Sequence, residues 1–165
     1  MSAMHHQPDG PAFDIVLLLH VGCVVVGLVT TAAAAATATR LRRLLGSPLP
    51  LPEPLRRYFR PGINWVGRTV YGIPVFGFAL VAMSQGAYAL EQGWVLGGLS
   101  IFAALVLVGE GVLWPAEQRL QVALAAEGAE PSAESLQHGA TTMSRAAVAA
   151  LVLLLAGTVL MVAQP

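Results

Sequence analysis

Four long apolar stretches dominate this chain and limit the folds that are open to it. They cover residues 13–39, 69–90, 94–114 and 146–163. A helix needs about 20 apolar residues to cross the hydrocarbon core of a bilayer. Each stretch is continuously apolar, whereas the strands of a membrane barrel alternate. The sequence therefore predicts an all-α polytopic membrane protein, with residues 1–165 folded as one antiparallel bundle of four transmembrane helices.

The composition agrees with a bilayer environment. Hydrophobic residues make up 56% of the chain and charged residues only 11%, whereas a water-soluble domain usually carries about 25% charged residues. The formal net charge is zero, so no nucleic-acid partner is expected. Cys23 is the only cysteine, which excludes an intrachain disulfide and a cysteine zinc cluster.

The basic residues predict the direction of the spans. All nine are arginines, and they lie only in the connections at residues 40–68 and 115–145. Short cytoplasmic loops carry the excess of basic residues. Both connections are therefore predicted to be cytoplasmic, and both termini to face the periplasmic side of a bacterial inner membrane. The arginines concerned are Arg40, Arg42, Arg43, Arg56, Arg57, Arg60, Arg68, Arg119 and Arg145.

The two cytoplasmic connections differ in character. The first contains "LRRLLGSPLPLPEPLRRYFRPGINW", whose five prolines prevent one continuous helix. Its arginines and leucines are expected to lie along the inner leaflet and attract anionic lipids, or to serve for docking. The second is predicted to prolong span three as the helix "AEQRLQVALAAE", followed by a turn at "GAEPS" and a short helix near "AESLQH".

A histidine interrupts the first apolar stretch and shares a helical face with small residues. His20 precedes Cys23 by three positions and Gly27 by seven, and such offsets place residues on one side of a helix. Small residues at every fourth position let membrane helices approach closely. We therefore expect His20 to point into the bundle rather than at lipid. The small residues on this face are Cys23, Gly27, Thr31, Ala35 and Thr39.

Polar residues on other spans are predicted to lie at the depth of His20, about 9 Å below the outer boundary. They are Ser84 and Gln85 on span two, Ser100 on span three, and Thr158, with Met161 nearer the surface, on span four. Interhelical hydrogen bonds in membranes contribute about 0.6–2 kcal/mol each. A polar layer around His20 is therefore expected.

Three interpretations of His20 remain open. It is a packing histidine that bonds to Gln85 or Ser100, or a ligand to haem b or copper, or a group that handles protons or a small ligand. Imidazole binds both metals, and the soft ligands Met83, Met161 and Cys23 favour Cu(I). The spans contain no second histidine, so haem held by two histidines of one chain is excluded.

A charge in the third span predicts a second polar contact. Glu110 lies near the inner end of that span, where a carboxylate requires a partner. Arg68 begins the second span at a similar depth, and the short "EQGW" link suggests that the two spans form a hairpin. We expect a Glu110–Arg68 ion pair, with a proton-pathway role for Glu110 as the alternative. Pro74, flanked by Gly72 and Gly77, predicts a kink in span two.

Several short motifs resemble a known family. "LLLHVGCVV", the basic loop after it, "VLWPAEQRLQ" and "LMVAQP" are similar to bacterial four-helix predicted integral membrane proteins of unknown function. The resemblance implies the same four-helix layout and no particular chemistry. More distantly, a first-span histidine resembles copper-resistance D-type proteins and a haem-carrying membrane-bound protoporphyrinogen oxidase, which implies a ligand role for His20.

Two function hypotheses follow. The first is a non-catalytic accessory or structural subunit that packs against other membrane subunits, and the second is a haem- or copper-binding redox or metal-handling protein centred on His20. A small-solute transporter is a third alternative and would require oligomerisation. The chain contains no P-loop, GxGxxG, HExxH or GxSxG motif, so no active site of the types found in soluble enzymes is expected.

Overall fold

The computed structural model describes residues 10–45, 51–84, 86, 88–126 and 132–163. All regular structure in these ranges is helical, which confirms the all-α prediction for the described chain. The elements in chain order are α1 (Pro11–Leu44), α2 (Glu53–Tyr58), a 3₁₀ turn (Gly67–Tyr71) leading into α3 (Gly72–Met83), α4 (Gly93–Val108), a π-helical turn (Gly109–Leu113) leading into α5 (Trp114–Ala125), and α6 (Ala133–Ala163).

Three helices are long and apolar enough to cross a membrane: α1, α6 and the continuous helix Gly93–Ala125. The fourth apolar segment, Gly67–Met83, is shorter. Many large apolar side chains face outward; Leu18, Leu107 and Val162 are 71%, 73% and 81% exposed. Such a surface suits contact with lipid chains. The count of four spans and the side on which the termini lie stay predictions.

The helices differ in length from the predicted spans. α3 ends at Met83 rather than Leu90, because Ser84 Oγ accepts the N–H of Tyr88 at 3.0 Å and donates to the Val81 carbonyl at 2.7 Å. Helix α5 confirms that span three continues beyond the apolar stretch. The short helix expected at residues 133–138 is instead the beginning of α6.

The helices α1 and α6 form the central pair of the bundle. A Cβ added at Gly27 would lie 3.7 Å from Leu154 Cδ1 of α6 and 2.8 Å from Val70 Cγ1 of the 3₁₀ turn, so the glycine lets the 3₁₀ turn approach α1 closely beside this pair. Thr39 Oγ1 and Ser144 Oγ share a hydrogen bond of 3.1 Å between the two helices. The face of α1 that the structure buries consists of Cys23, Gly27, Thr31, Ala34, Ala38 and Leu41.

The helices α3 and α4 flank the central pair instead of forming a hairpin with each other. Helix α3 packs chiefly on α1, and α4 packs chiefly on α6. Side chains connect the two flanking segments at one end, where the ring centroids of Tyr71 and Trp114 lie 5.9 Å apart. Toward the other end a cavity separates them. The hairpin prediction was therefore wrong in its packing, because each helix finds its partner in the central pair.

Helices α2 and α5 cover the end of the bundle that carries the arginines. Leu55 and Phe59 of the α2 segment are each 3% exposed, and Leu120 of α5 is 2% exposed. They join a core cluster with Leu41 and Met143. This end is therefore densely packed, whereas the cavity lies toward the opposite end.

Candidate functional site

An apolar cavity lies between α1, α3, α4 and α6. Its volume is about 360 Å³, and a neighbouring cavity of about 210 Å³ shares part of its wall. Residues that line both cavities include His20, Ile73, Gly98, Phe102 and Met161. Small-molecule sites in proteins are concave, mostly apolar and about 300–1,000 Å³ in volume. The pair of cavities is thus large enough for a substantial ligand.

His20 supplies an imidazole to this apolar cavity, and a backbone contact holds its ring. Its Nδ1 lies 2.9 Å from the carbonyl oxygen of Ile73. A carbonyl only accepts hydrogen bonds, so Nδ1 carries the proton, and in the neutral ring Nε2 keeps its lone pair. Gly77 of α3 lies beside the ring, and a Cβ added there would be 3.4 Å from Cε1 of His20, in ordinary van der Waals contact.

Among the methionines of the described helices, Met161 is the one that lines the same cavities as His20. A Cβ added at Gly98 would overlap the terminal methyl of Met161, so the glycine on α4 makes room for this side chain. The sequence predicted Met161 nearer the surface than His20, and in the structure both residues line the same two cavities.

Two other predicted soft ligands lie away from the cavity. Cys23 is buried, and its sulfur packs into a notch at Gly72, where an added Cβ would lie 2.5 Å from Sγ. Met83 at the end of α3 is absent from the described walls of both cavities. Cys23 and Met83 are thus absent from the described walls of the two cavities that His20 and Met161 both line.

The predicted polar layer around His20 does not form in the described chain. Ser100 Oγ donates to the Leu96 carbonyl of its own helix at 2.8 Å, and Thr158 does the same toward Leu154 at 2.8 Å. Ser84 closes the turn after α3 instead. Gln85 lies outside the described residues. The hydrogen bond predicted between His20 and Ser100 was therefore wrong, because hydroxyls in a helix can bond to carbonyls of the preceding turn.

The described residues contain no group of three or more His, Cys, Asp or Glu side chains that could hold a metal ion. A metal that needs three or four such ligands therefore finds no site in this part of the chain. What the cavity does offer is one imidazole nitrogen and one thioether in an apolar surrounding.

A second polar group lies at the end of the bundle opposite the cavity. The hydroxyl of Tyr71 donates a hydrogen bond to Glu110 on the π-helical turn. The guanidinium of Arg68 lies 4.9 Å from the ring centroid of Trp114. Glu110 therefore has Tyr71 as its partner, and the Arg68–Glu110 ion pair predicted from the sequence was wrong. Arg68 lies against the ring of Trp114, and Glu110 accepts from the hydroxyl of Tyr71, so each charge has another partner.

Sequence reasoning missed a buried carboxylate on α5. Glu117 is 5% exposed, and Asn64 Nδ2 donates to it at 3.5 Å. Gln121, one turn further, accepts the N–H of Gly62 at 3.3 Å. Burial and the charge of Glu117 raise the pKa of Tyr58 above its usual range. The four-residue spacing of Glu117 and Gln121 was visible in the sequence, but the loop that covers them was not.

A family model covers nearly all of the chain. The model, described as "Predicted integral membrane protein (DUF2269)", matches residues 14–165. No curated protein and no solved structure matches the chain. The match agrees with the apolar helices Pro11–Leu44 and Ala133–Ala163 and with the family resemblance seen in the short motifs. The chain is a membrane protein and belongs to the DUF2269 family of predicted integral membrane proteins.

Proposed function

We propose that this protein is a membrane-embedded cofactor protein that holds haem b in the cavity beside His20. The observation that carries the proposal is the hydrogen bond from Nδ1 of His20 to the carbonyl of Ile73. Histidines that bind metals commonly donate their other ring N–H to a carbonyl or carboxylate, which orients the ring. The bond leaves Nε2 as the nitrogen of His20 that is available to iron.

The number of ligands favours haem over a bare copper ion. A porphyrin supplies four ligands to its iron, so the protein has to add only one or two axial ligands. His20 and Met161, which line the same cavities, provide one imidazole and one thioether. Copper held by these two groups alone would lack further protein ligands, since Cys23 packs against Gly72 instead.

The cavity also suits the shape and polarity of the cofactor. A porphyrin is broad and apolar, and the two cavities share a wall that includes Ile73 and Phe102. At one edge of the larger cavity Tyr88 and Trp94 meet edge to face, with ring centroids 5.7 Å apart. Aromatic residues of this kind favour the membrane interface, where the propionates of haem would reach water. A bound haem would supply one-electron redox chemistry.

The accessory-subunit hypothesis stays a prediction, and the structure removes one of its reasons. The small residues on one face of α1 favour close packing against another helix, whether of this chain or of a partner subunit. Cys23, Gly27 and Thr31 on this face are buried within the chain itself. A haem protein can still serve as a subunit of a larger complex. The similarity to copper-resistance proteins, the bacterial inner membrane and the binding of anionic lipids by the arginine-rich connection also stay predictions.

The test is reconstitution of the detergent-purified protein with haem, followed by optical spectra in the oxidised and reduced states. We expect one haem per chain, and we expect His20→Ala to lose it. His138, an exposed histidine of α6, provides the matched control, and His138→Ala should bind as the parent does. Failure of the parent to bind haem, or equal loss in both variants, would refute the proposal.

A second pair of variants tests the thioether. Met161→Leu keeps the size of the side chain but removes the sulfur ligand, so we expect haem to remain with a changed spectrum. Met83→Leu is the control, because Met83 is outside the described walls of the cavities. Identical spectra for the two variants would show that Met161 is not a ligand and would leave His20 as the sole protein ligand.

A further inference from the structure

A carboxylate and a guanidinium lie around the Tyr71–Trp114 ring pair at the end of the bundle opposite the cavity, and no ion pair joins them. Glu110 is exposed on the π-helical turn, and the hydroxyl of Tyr71 donates to one of its oxygens, Oε1. Arg68 lies over the ring of Trp114. Tyr71 connects the two charges, since it packs against Trp114 while it bonds to Glu110. Within the described chain, Oε2 of Glu110 has no hydrogen-bond partner.

The position along the helix places these charges at the level of lipid headgroups. Glu110 lies about 25 Å along the helix from Gly93, and the hydrocarbon core of a bilayer is about 30 Å thick. Trp65 lies just before the 3₁₀ turn that contains Arg68. Its side chain is 70% exposed, as expected of an indole in the interfacial layer. The exposed carboxylate thus faces the boundary between lipid chains and headgroups.

Charges at this level require partners. A carboxylate near hydrocarbon is costly unless a cation or hydrogen-bond donors satisfy it. Tyr71 satisfies one oxygen of Glu110, and the other oxygen remains available. Arg68 has several N–H donors, and a cation–π contact with Trp114 leaves the edges of its guanidinium free to bind an anion. The patch therefore presents one anionic and one cationic group to the surrounding lipid.

We propose that the headgroup of one phosphatidylethanolamine molecule binds to this patch, with its ammonium group against Glu110 and its phosphate against Arg68. The inference is independent of the haem proposal, because the two sites lie at opposite ends of the bundle. A zwitterionic headgroup carries one charge opposite to that of Glu110 and one opposite to that of Arg68. An anionic lipid such as phosphatidylglycerol would place no cation against Glu110.

The structure also discriminates against choline headgroups. A quaternary ammonium has no N–H to donate to the free oxygen of Glu110. It binds instead over aromatic faces, and here the guanidinium of Arg68 already occupies a face of Trp114. The primary ammonium of ethanolamine has three N–H groups that can donate to Glu110. Each added methyl group replaces one of these donors and should therefore weaken the binding of the headgroup.

The first experiment compares lipids on the intact protein. The protein is placed in nanodiscs of phosphatidylcholine and titrated with phosphatidylethanolamine, its mono- and dimethylated forms, and phosphatidylglycerol, and bound lipid is counted by native mass spectrometry. We expect retention to fall with each methyl group, by about tenfold in total, as for the loss of one charge-assisted hydrogen bond. Equal retention of phosphatidylethanolamine and its methylated forms would overturn the proposal, and so would stronger retention of phosphatidylglycerol than of phosphatidylethanolamine.

Variants then locate the site. Glu110→Gln keeps an acceptor for Tyr71 but removes the charge, and it should abolish the preference for phosphatidylethanolamine. Arg68→Gln should weaken the binding of all the phospholipids, because it removes the contact with their phosphate group. The controls are Glu134→Gln and Arg119→Gln, which remove exposed charges elsewhere. An unchanged preference in Glu110→Gln, or an equal effect of Glu134→Gln, would contradict the assignment.

Discussion

Replacement of Gly72 by alanine offers a sharp test of how α1 and α3 pack. The structure places an added Cβ at this position 2.5 Å from Sγ of Cys23 and 3.5 Å from its Cβ. Apolar heavy atoms normally approach to about 3.5–4.0 Å, so the new methyl group would overlap the sulfur by roughly 1 Å. Overpacking of this kind costs about 1–3 kcal/mol. We expect Gly72→Ala to lose that amount of unfolding free energy.

A matched glycine on α1 provides the control. A Cβ added at Gly22 would meet nothing within 4 Å, so Gly22→Ala gains helix propensity without a clash. Both substitutions gain up to about 1 kcal/mol from propensity, and the difference between them therefore isolates the contact with Cys23. Unfolding of the two variants can be followed by circular dichroism in detergent micelles as denaturing detergent is added.

The double variant identifies the clashing atom. Cys23→Ala alone leaves a small cavity and should be mildly destabilising. In combination with Gly72→Ala it removes the sulfur that the new methyl group would overlap, so stability should partly return, with a coupling energy of about 1–2 kcal/mol. Equal stability of Gly72→Ala and Gly22→Ala, or strictly additive losses in the double variant, would refute this account of the α1–α3 contact.

Two further predictions concern the packing of the central pair and the end of the bundle that carries the arginines. Thr39→Val removes the 3.1 Å hydrogen bond to Ser144 and should cost about 0.6–1.7 kcal/mol; additivity with Ser144→Ala would contradict it. Burial raises the pKa of Tyr58 in the folded state, so its contribution to stability is complete below about pH 10 and is lost as pH rises further. Tyr58→Phe should therefore flatten the alkaline fall in stability, and an unchanged slope would contradict this.

Much of the helical architecture was predictable from local sequence pattern. Continuous apolar runs predicted helices over residues 13–39, 94–114 and 146–163, although α6 begins earlier, at Ala133. The spacing of small residues predicted part of the buried face of α1, since Cys23, Gly27 and Thr31 are buried but Ala35 and Thr39 are not. Both features belong to a single helix: the apolar character of its residues and the spacing that places residues on one face. The sequence shows both directly. The length of α3 was less predictable, since Ser84 ends that helix through hydrogen bonds within a turn.

The candidate site was predictable in part. His20 was recognised as an inward-facing polar residue, and Met161, one of its predicted soft companions, lines the same cavities. Ser100 was wrong as a partner of His20, because hydrogen bonds to backbone carbonyls such as that of Ile73 leave no signature in residue types. For the same reason Tyr71 was not expected to bond to Glu110.

The sequence by itself determined that this chain is an all-helical membrane protein and that one titratable ring lies within its first apolar helix. Hydropathy and helical period are properties of single segments, so they can be read without knowing any contact. Only the tertiary structure decided that α1 pairs with α6, that α3 and α4 stand apart, and that a cavity opens beside His20. Those features depend on how side chains of different helices fit together, and many apolar sequences with the same period would pack differently.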